Sequence, residues 1–355
     1  MVTLFRRIRE KLIASGSVTK YLLYAAGEIL LVVIGILIAL QVNNWNEERK
    51  NEATIRMIFS EIQQDLLNDI REFDSGIDWY VDQDTLASRM IRGEFSKQNF
   101  LNTKNRNMFQ AGLNNYVLVQ SDRSYELLTE YKDILPANYR EVMIQLNSLY
   151  EEDQSFLNTI QGQLVDVSTE YLEYTSKEFE WSVDLAEDNI TEDVAEYFAN
   201  STYHKQRLAL WRNRLRNLLT IAYRIKEKSV INYLIIRNVT GDQTRLPELI
   251  QEYGISDEPL EANYDGKFYY KNEDGDRIPF ALEQEYGLLF WKNLGERSFY
   301  FENILLSEVE KDSLIFVGAQ DNTLKIIRDS TGQKIRMQLY YRQEETNEYI
   351  FSPKE

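Results

Sequence analysis

The chain reads as a membrane-anchored α+β protein: one N-terminal transmembrane helix continuing into an antiparallel helical bundle, followed by a small antiparallel β barrel or sandwich. Three observations predict this. Residues 21–42 form an apolar run interrupted by a single carboxylate, Glu28. Apolar side chains then recur every three or four positions through most of the first 240 residues. Eight of the fifteen glycines and four of the five prolines crowd into the last 115 residues, which marks short strands and turns.

At about 1.5 Å rise per residue, the 21–42 run spans the roughly 30 Å hydrocarbon core of a bilayer. A cleaved secretory signal has an apolar core of only about 7–15 residues followed by a small-x-small site. Ile38-Ala39-Leu40-Gln41-Val42-Asn43 offers no such site. Arg6, Arg7, Arg9, Lys11 and Lys20 precede the run, against Arg49, Lys50 and Arg56 just after it, so the basic excess puts the N-terminus inside. Tyr21 and Tyr24 at one end and Trp45 at the other match interfacial aromatic belts. Leu4, Phe5, Ile8, Leu12 and Ile13 form an apolar face among the bases, which lays residues 1–20 on the inner leaflet as a basic amphipathic segment.

Charge divides the chain as sharply as hydropathy. The first twenty residues carry five bases and Glu10, or +4, and the remaining 35 bases and 56 acids leave −21. So acidic an exported part argues against nucleic acid or anionic lipid as its partner, because phosphate contacts need a basic face. The chain has no cysteine and hence no disulfide.

The helical part, residues 43–240, starts without a break from the anchor. Ile55, Ile58, Phe59, Ile62, Leu66, Ile70, Phe73 and Ile77 keep helical spacing, which predicts a stalk helix to about residue 77. A second long helix begins after Pro136 and carries Tyr139, Val142, Leu146, Leu149, Phe156, Ile160, Leu164, Val167, Tyr171 and Tyr174, its apolar seam broken once, by Asp153. A third puts Leu208, Trp211, Leu215, Leu218, Ala222 and Ile225 on one face and runs to about residue 237. Shorter helices are expected near 84–92, 97–113 and 124–135, enough in all for an antiparallel bundle.

Residues 241–263, with Pro247, Gly254 and Pro259, read as a connection containing a short helix at 246–253. The β module, 264–345, is expected to hold seven strands, at 267–272, 277–282, 288–292, 298–301, 313–317, 323–328 and 334–341, with a hairpin turn at 273–276, turns at 321–322 and 330–332, and a tail at 346–355.

The block Phe5-Arg6-Arg7-Ile8-Arg9, then Lys20-Tyr21-Leu22-Leu23-Tyr24-Ala25-Ala26-Gly27-Glu28-Ile29, then Val32-Val33-Ile34-Gly35-Ile36-Leu37-Ile38-Ala39-Leu40-Gln41-Val42-Asn43-Asn44-Trp45-Asn46 resembles the N-terminus of an uncharacterised family of single-pass membrane proteins from Bacteroidota. A weaker likeness falls at Ser124-Tyr125-Glu126-Leu127-Leu128, where the chain departs from the family's pattern and lacks its Ser-Ser-Gly. The resemblance implies a bacterial inner membrane, a cytoplasmic N-terminus and a periplasmic bulk. It implies no activity.

Nothing in the sequence names a reaction or a cofactor. His204 is the only histidine, which excludes a histidine metal cluster, and beside Lys205 and Arg207 it reads as an exposed surface residue. No phosphate loop or nucleophile elbow occurs, and Asn272-Glu273-Asp274-Gly275-Asp276 lacks the downstream glutamate of a calcium loop. Lys205, Arg207, Arg212, Arg214, Arg216, Arg224, Lys226 and Lys228 form the one basic concentration of the acidic part, either a solvated face pairing with neighbouring acidic helices or a surface docking an acidic partner, with Lys205, Arg207, Arg212, Arg214 and Arg216 as the possible docking face.

Glu28 lies seven residues past Tyr21, on the order of 10 Å into the span, where a lone carboxylate costs a few kcal/mol. Ala25, Glu28, Val32, Gly35, Ala39 and Val42 alternate by three and four, so Glu28 shares a face with small residues that permit close helix contact. The expected partner is another transmembrane helix, from a second copy or another protein. The functional expectation is a scaffold or interaction protein of the envelope, with no catalysis. Two alternatives remain: a proton-coupled stator-like subunit using Glu28, and a periplasmic ligand sensor, the latter weakened by a cytoplasmic segment of only twenty residues.

Overall fold

A computed structural model describes residues 18–187, 189–256, 260, 263–271, 276–285, 288–294, 303–316, 319–341 and 344–352. The amphipathic segment expected before residue 18, the core of the 273–276 turn and the strand expected at 298–301 lie outside these. The chain divides into two compact units, Met1–Met57 with Tyr131–Leu135, and Ile58–Glu130 with Pro136–Glu355.

The first unit holds the start of helix α1, Val18–Ile91. Among the described residues this is the one helix long and apolar enough to cross a membrane. Its apolar stretch is bare: Ile29 and Leu31 are each 65 % exposed and Ile38 is 59 % exposed.

The second unit receives the rest of α1, which buries Ile58, Phe59, Ile62, Leu66, Ile70 and Phe73. The stalk does not stop near residue 77, nor is 84–92 a separate helix. Ile77, Tyr80, Ala87 and Met90 extend the buried stripe, no proline intervenes, and the turn ends only at Gly93, whose φ of +71° a residue with a Cβ rarely adopts. The helix expected at 97–113 is instead α2, Lys97–Leu101, and a 3-10 stretch, Thr103–Gln110. That expected at 124–135 is α3, Arg123–Glu130, and a 3-10 turn at Lys132–Ile134, because Pro136 forces Leu135 into an extended conformation.

The second long helix holds a fault that periodicity does not announce. It consists of α4, Arg140–Asn147, a π-helical turn at Ser148–Asp153, and α5, Gln154–Glu178. Two short helices unforeseen from the sequence follow, α6, Ser182–Ala186, and α7, Glu192–Asn200, the latter capped by Thr191 Oγ1 accepting from the Val194 amide at 3.4 Å. Helix α8, Thr202–Thr240, is capped by Ser201 Oγ at 3.1 Å from the His204 amide and stopped by Gly241 at φ +69°. The short connection helix is α9, Glu248–Gln251.

A segment without regular secondary structure, 115–121, lies between helices. Tyr80 Oη donates to the Tyr116 carbonyl at 2.6 Å, and the Gln161 amide closes on both backbone groups of Leu118, at 2.8 and 3.1 Å. Gly76 of α1 makes this approach possible, since a Cβ there would sit 2.3 Å from Leu118 Cδ2.

The β module is a closed antiparallel barrel of eight strands in sequential order, not seven: β1 Gly266–Lys271, β2 Arg277–Glu285, β3 Leu288–Asn293, β4 Asn303–Glu310, β5 Ser313–Phe316, β6 Ala319–Arg328, β7 Lys334–Tyr341 and β8 Glu344–Ser352. Strand β8 closes it, pairing Phe268 with Phe351 and Met337 with Tyr349. A turn at 321–322 does not form; Asn322 pairs with Tyr341 inside β6, where nothing demands a positive φ. The turn at 330–332 does form, with Gly332 at φ +85° and Asp329 Oδ1 accepting from the Thr331 and Gln333 amides. Side chains including Phe268, Leu282, Trp291, Leu314, Leu324 and Met337 fill the interior, as a barrel this size allows. Asp312 takes φ +63° at the β4–β5 turn and is gripped by Arg328 at 2.6–2.9 Å, while its amide donates to Tyr264 Oη at 2.8 Å.

Helices and barrel meet through the connection. Tyr253 Oη and Lys226 Nζ both bind Asp74, at 2.9 and 2.7 Å, the Gly254 carbonyl accepts from Ser307 Oγ, and the Glu227 carboxylate accepts from the Leu305 amide. Burial pushes Glu227 up to about 7.

Candidate functional site

Ala25, Glu28, Val32, Gly35, Ala39 and Val42 all lie on α1, within an arc of about 100° at 100° per residue, so the helix keeps them on one side. Gly35 has open space around it. The basic residues behave differently. At the same angular step, Lys205, Arg212 and Arg216 follow one flank of α8 and Arg207 and Arg214 the opposite one. Arg212 grips both Asp84 oxygens of α1, at 2.6 and 2.9 Å. Arg207 donates to the Val167 carbonyl at 2.6 Å and to Glu170 at 3.2 Å, and Arg214 reaches Gln163, all on α5. Lys205 is half-buried and Arg216 exposed.

Further along α8, Arg224 and Lys228 each contact Asp153 at 2.5 Å. The acid that broke the apolar seam is therefore a buried counter-ion, placed by the π turn. Lys228 also donates to Ser148 Oγ at 2.9 Å, which ties both ends of that turn to α8.

His204 is not a surface residue. It is fully buried, with Nδ1 2.7 Å from Tyr171 Oη and the ring packed edge-on against Phe198. Burial, helped by Lys205, depresses it to about 3, so it stays neutral. The signal lay in the spacing: His204 precedes Leu208 by four and Trp211 by seven, on the same buried stripe.

The most unusual chemistry gathers around Asp69 of α1, which is 1 % exposed. Its Oδ1 accepts from the Ser121 amide at 2.8 Å and its Oδ2 has no partner. Asp65, one turn earlier, also has an enclosed, unpartnered Oδ2. Asp122 enters beside Ser121 and accepts from Gln154 Nε2 at 3.3 Å. Tyr150, from the π turn, brings a buried phenol without a partner close enough to all three acids to feel their charge, and stacks on Tyr125 at 4.9 Å. Gln120 adds a buried amide whose two polar atoms are unpartnered.

Burial above all, then the charges of Asp65 and Asp122, raises Asp69 to about 7 against the opposing pull of Ser121. The Tyr150 phenol is driven upward by burial and the same acids, so it stays a neutral donor. Among the described residues no group of three or more His, Asp or Glu can hold a metal ion. Asp69 was findable from sequence, since it falls three residues after Leu66 and four before Phe73, in the middle of the apolar stripe. Its partners at 120–122 and 150 were not.

These features define a class: a chain with, among the described residues, one membrane-length helix, a set of packed helices and a closed antiparallel barrel. Residues 28–195, from Glu28 into α7, match the model of a family of unknown function, DUF6090. No curated protein and no solved structure matches the chain.

Proposed function

We propose that the chain is a single-pass inner-membrane protein with a cytoplasmic N-terminus, which presents its helices and barrel in the periplasm as an interaction scaffold without catalysis. The observation that carries this reading is the exposed apolar surface of α1 across 29–42, which lipid satisfies. The excess of basic residues ahead of the span supports the orientation. The chain lacks cysteine, so single introduced thiols report topology cleanly. A membrane-impermeant maleimide added to intact spheroplasts is expected to label Glu178→Cys and to spare Arg6→Cys; the reverse pattern, or release of the protein from membranes by alkaline carbonate, overturns the reading.

The same reading gives the face of Ala25, Glu28, Val32, Gly35, Ala39 and Val42 a role as the contact with another transmembrane helix, Glu28 hydrogen-bonding across it. Glu28→Leu is then expected to shrink the detergent-extracted assembly or to shed a partner, as crosslinking mass spectrometry on native membranes would report. An unchanged assembly with unchanged partners removes that role. A co-purifying multispan channel, with loss of function in Glu28→Gln, replaces the scaffold by a proton-coupled stator.

A further inference from the structure

Five aromatic rings meet where α5 ends and α8 begins. Phe179 and Trp181 stack at 4.9 Å with 19° between their planes, and Tyr197 packs against both, at 4.7 and 4.9 Å. Tyr174 lies 6.0 Å from Phe179 and 4.2 Å from Tyr203, which carries the group on to α8. Phe198 and His204, packed together at 4.7 Å, are the buried floor of the group. The five rings themselves are only half-buried, Val183 beside them is 69 % exposed, and α6, which follows Trp181, buries none of its residues. One tryptophan and three tyrosines left part-exposed over a packed floor have the composition of a binding hot spot, because large rigid rings give contact area at little cost in side-chain entropy.

Charge selects the partner. Residues 171–200 hold nine acids and one base, Lys177. Lys177 takes Glu173 at 3.4 Å, and Lys97 takes Glu192 at 2.7 Å. Glu178, Glu180 and Glu187 are exposed, and among the described residues no cation pairs with them. Glu178 and Glu180 flank Phe179 directly, and Glu187 follows α6. Such a field repels anionic lipid and nucleic acid and attracts a cation. The rings touch one another, so they form a platform and not a cage that closes around an ammonium. A platform suits arginine, whose planar guanidinium lies flat on an aromatic face and forks toward a carboxylate at the same time.

We propose that the rings of Tyr174, Phe179, Trp181, Tyr197 and Tyr203, with Glu178, Glu180 and Glu187, bind an arginine-bearing peptide segment of a partner protein. This deepens the scaffold reading and rests on it for the compartment in which the partner is met; the surface itself does not depend on orientation. The test is binding of fluorescently labelled hexa-arginine and hexalysine to the full-length chain in uncharged detergent micelles, followed by anisotropy at about 150 mM salt, where charges are screened beyond about 8 Å. Hexa-arginine is expected to bind about threefold more tightly than hexalysine, because the guanidinium stacks as well as pairs. Glu178→Gln, Glu180→Gln and Glu187→Gln combined are expected to weaken hexa-arginine about tenfold, and Trp181→Leu to remove the preference over hexalysine. Glu61→Gln, Glu130→Gln and Glu141→Gln combined, which remove three exposed acids elsewhere in the second unit, are expected to leave the affinity within about twofold. No binding by the wild type, equal affinity for the two peptides, or an equal effect of the two triple substitutions overturns the proposal. The expected ratios in a chain whose introduced thiols label in the reverse pattern keep this surface and overturn only the periplasmic reading.

Discussion

Asp153→Ala is expected to destabilise the second unit by about 3 kcal/mol, the lower end of what breaking a buried ion pair costs. Asp153 is 3 % exposed and both of its oxygens are engaged, one by Arg224 and one by Lys228. Removing it leaves two cations without their acid. Their side chains keep 39 % and 30 % of their exposure, so both can turn toward water, which limits the cost. The substitution also frees the π turn, because Lys228 loses the partner that holds it against Ser148. Arg224→Leu or Lys228→Met alone leaves Asp153 with one cation and is expected to cost less than Asp153→Ala. Urea midpoints of the full-length chain in detergent check this ordering. If Asp153→Ala moves the midpoint no more than an exposed Glu→Ala does, the triad has no structural weight.

That triad also shows where sequence reading stops. Asp153 was visible as an interruption of a helical seam, because periodicity is local. Its partners arrive 71 and 75 residues later on α8, and the same bases had looked like one docking surface. The structure divides the earlier ones between two flanks, with Arg212 on α1 and Arg207 on α5. Strand β8 was missed for a related reason. Glu344-Glu345-Thr346-Asn347-Glu348 lacks the apolar alternation of a half-buried strand, yet backbone pairing to β7 and β1 needs no apolar side chain. The π turn left no trace at all, since one added residue in a helix looks like ordinary scatter in spacing. The apolar run of α1, by contrast, was fully legible, because length and hydropathy are read from consecutive residues.

Asp69→Asn is expected to make the protein more stable near and above neutral pH and to change little in acid. In the unfolded chain Asp69 titrates near 3.8, and in the folded chain at about 7. Below both values the carboxyl is protonated in either state and its full contribution to stability is present. Between them only the folded state keeps the proton, so stability falls as pH rises, by about 1.4 kcal/mol per unit and on the order of 4 kcal/mol across the window. Above about 7 the loss is complete and the curve is flat. An asparagine has no proton to lose and keeps an oxygen for the Ser121 amide, so the variant lacks this slope. Glu227 shifts in the same direction and leaves a residual slope in Asp69→Asn that Glu227→Gln should remove. The acids shifted the other way, Glu94, Glu192 and Asp329, lie below their ordinary values, so their contribution is lost in more acidic solution and does not mask the window. His204, held at about 3 in the folded chain against 6.5 when unfolded, gives the opposite slope below about 6.5, so it is the difference between wild type and Asp69→Asn, followed by thermal unfolding between about pH 5 and pH 8, that isolates Asp69. An Asp69→Asn profile parallel to the wild-type one through that range means that Asp69 enters the folded state already ionised and that water reaches the centre in the resting protein.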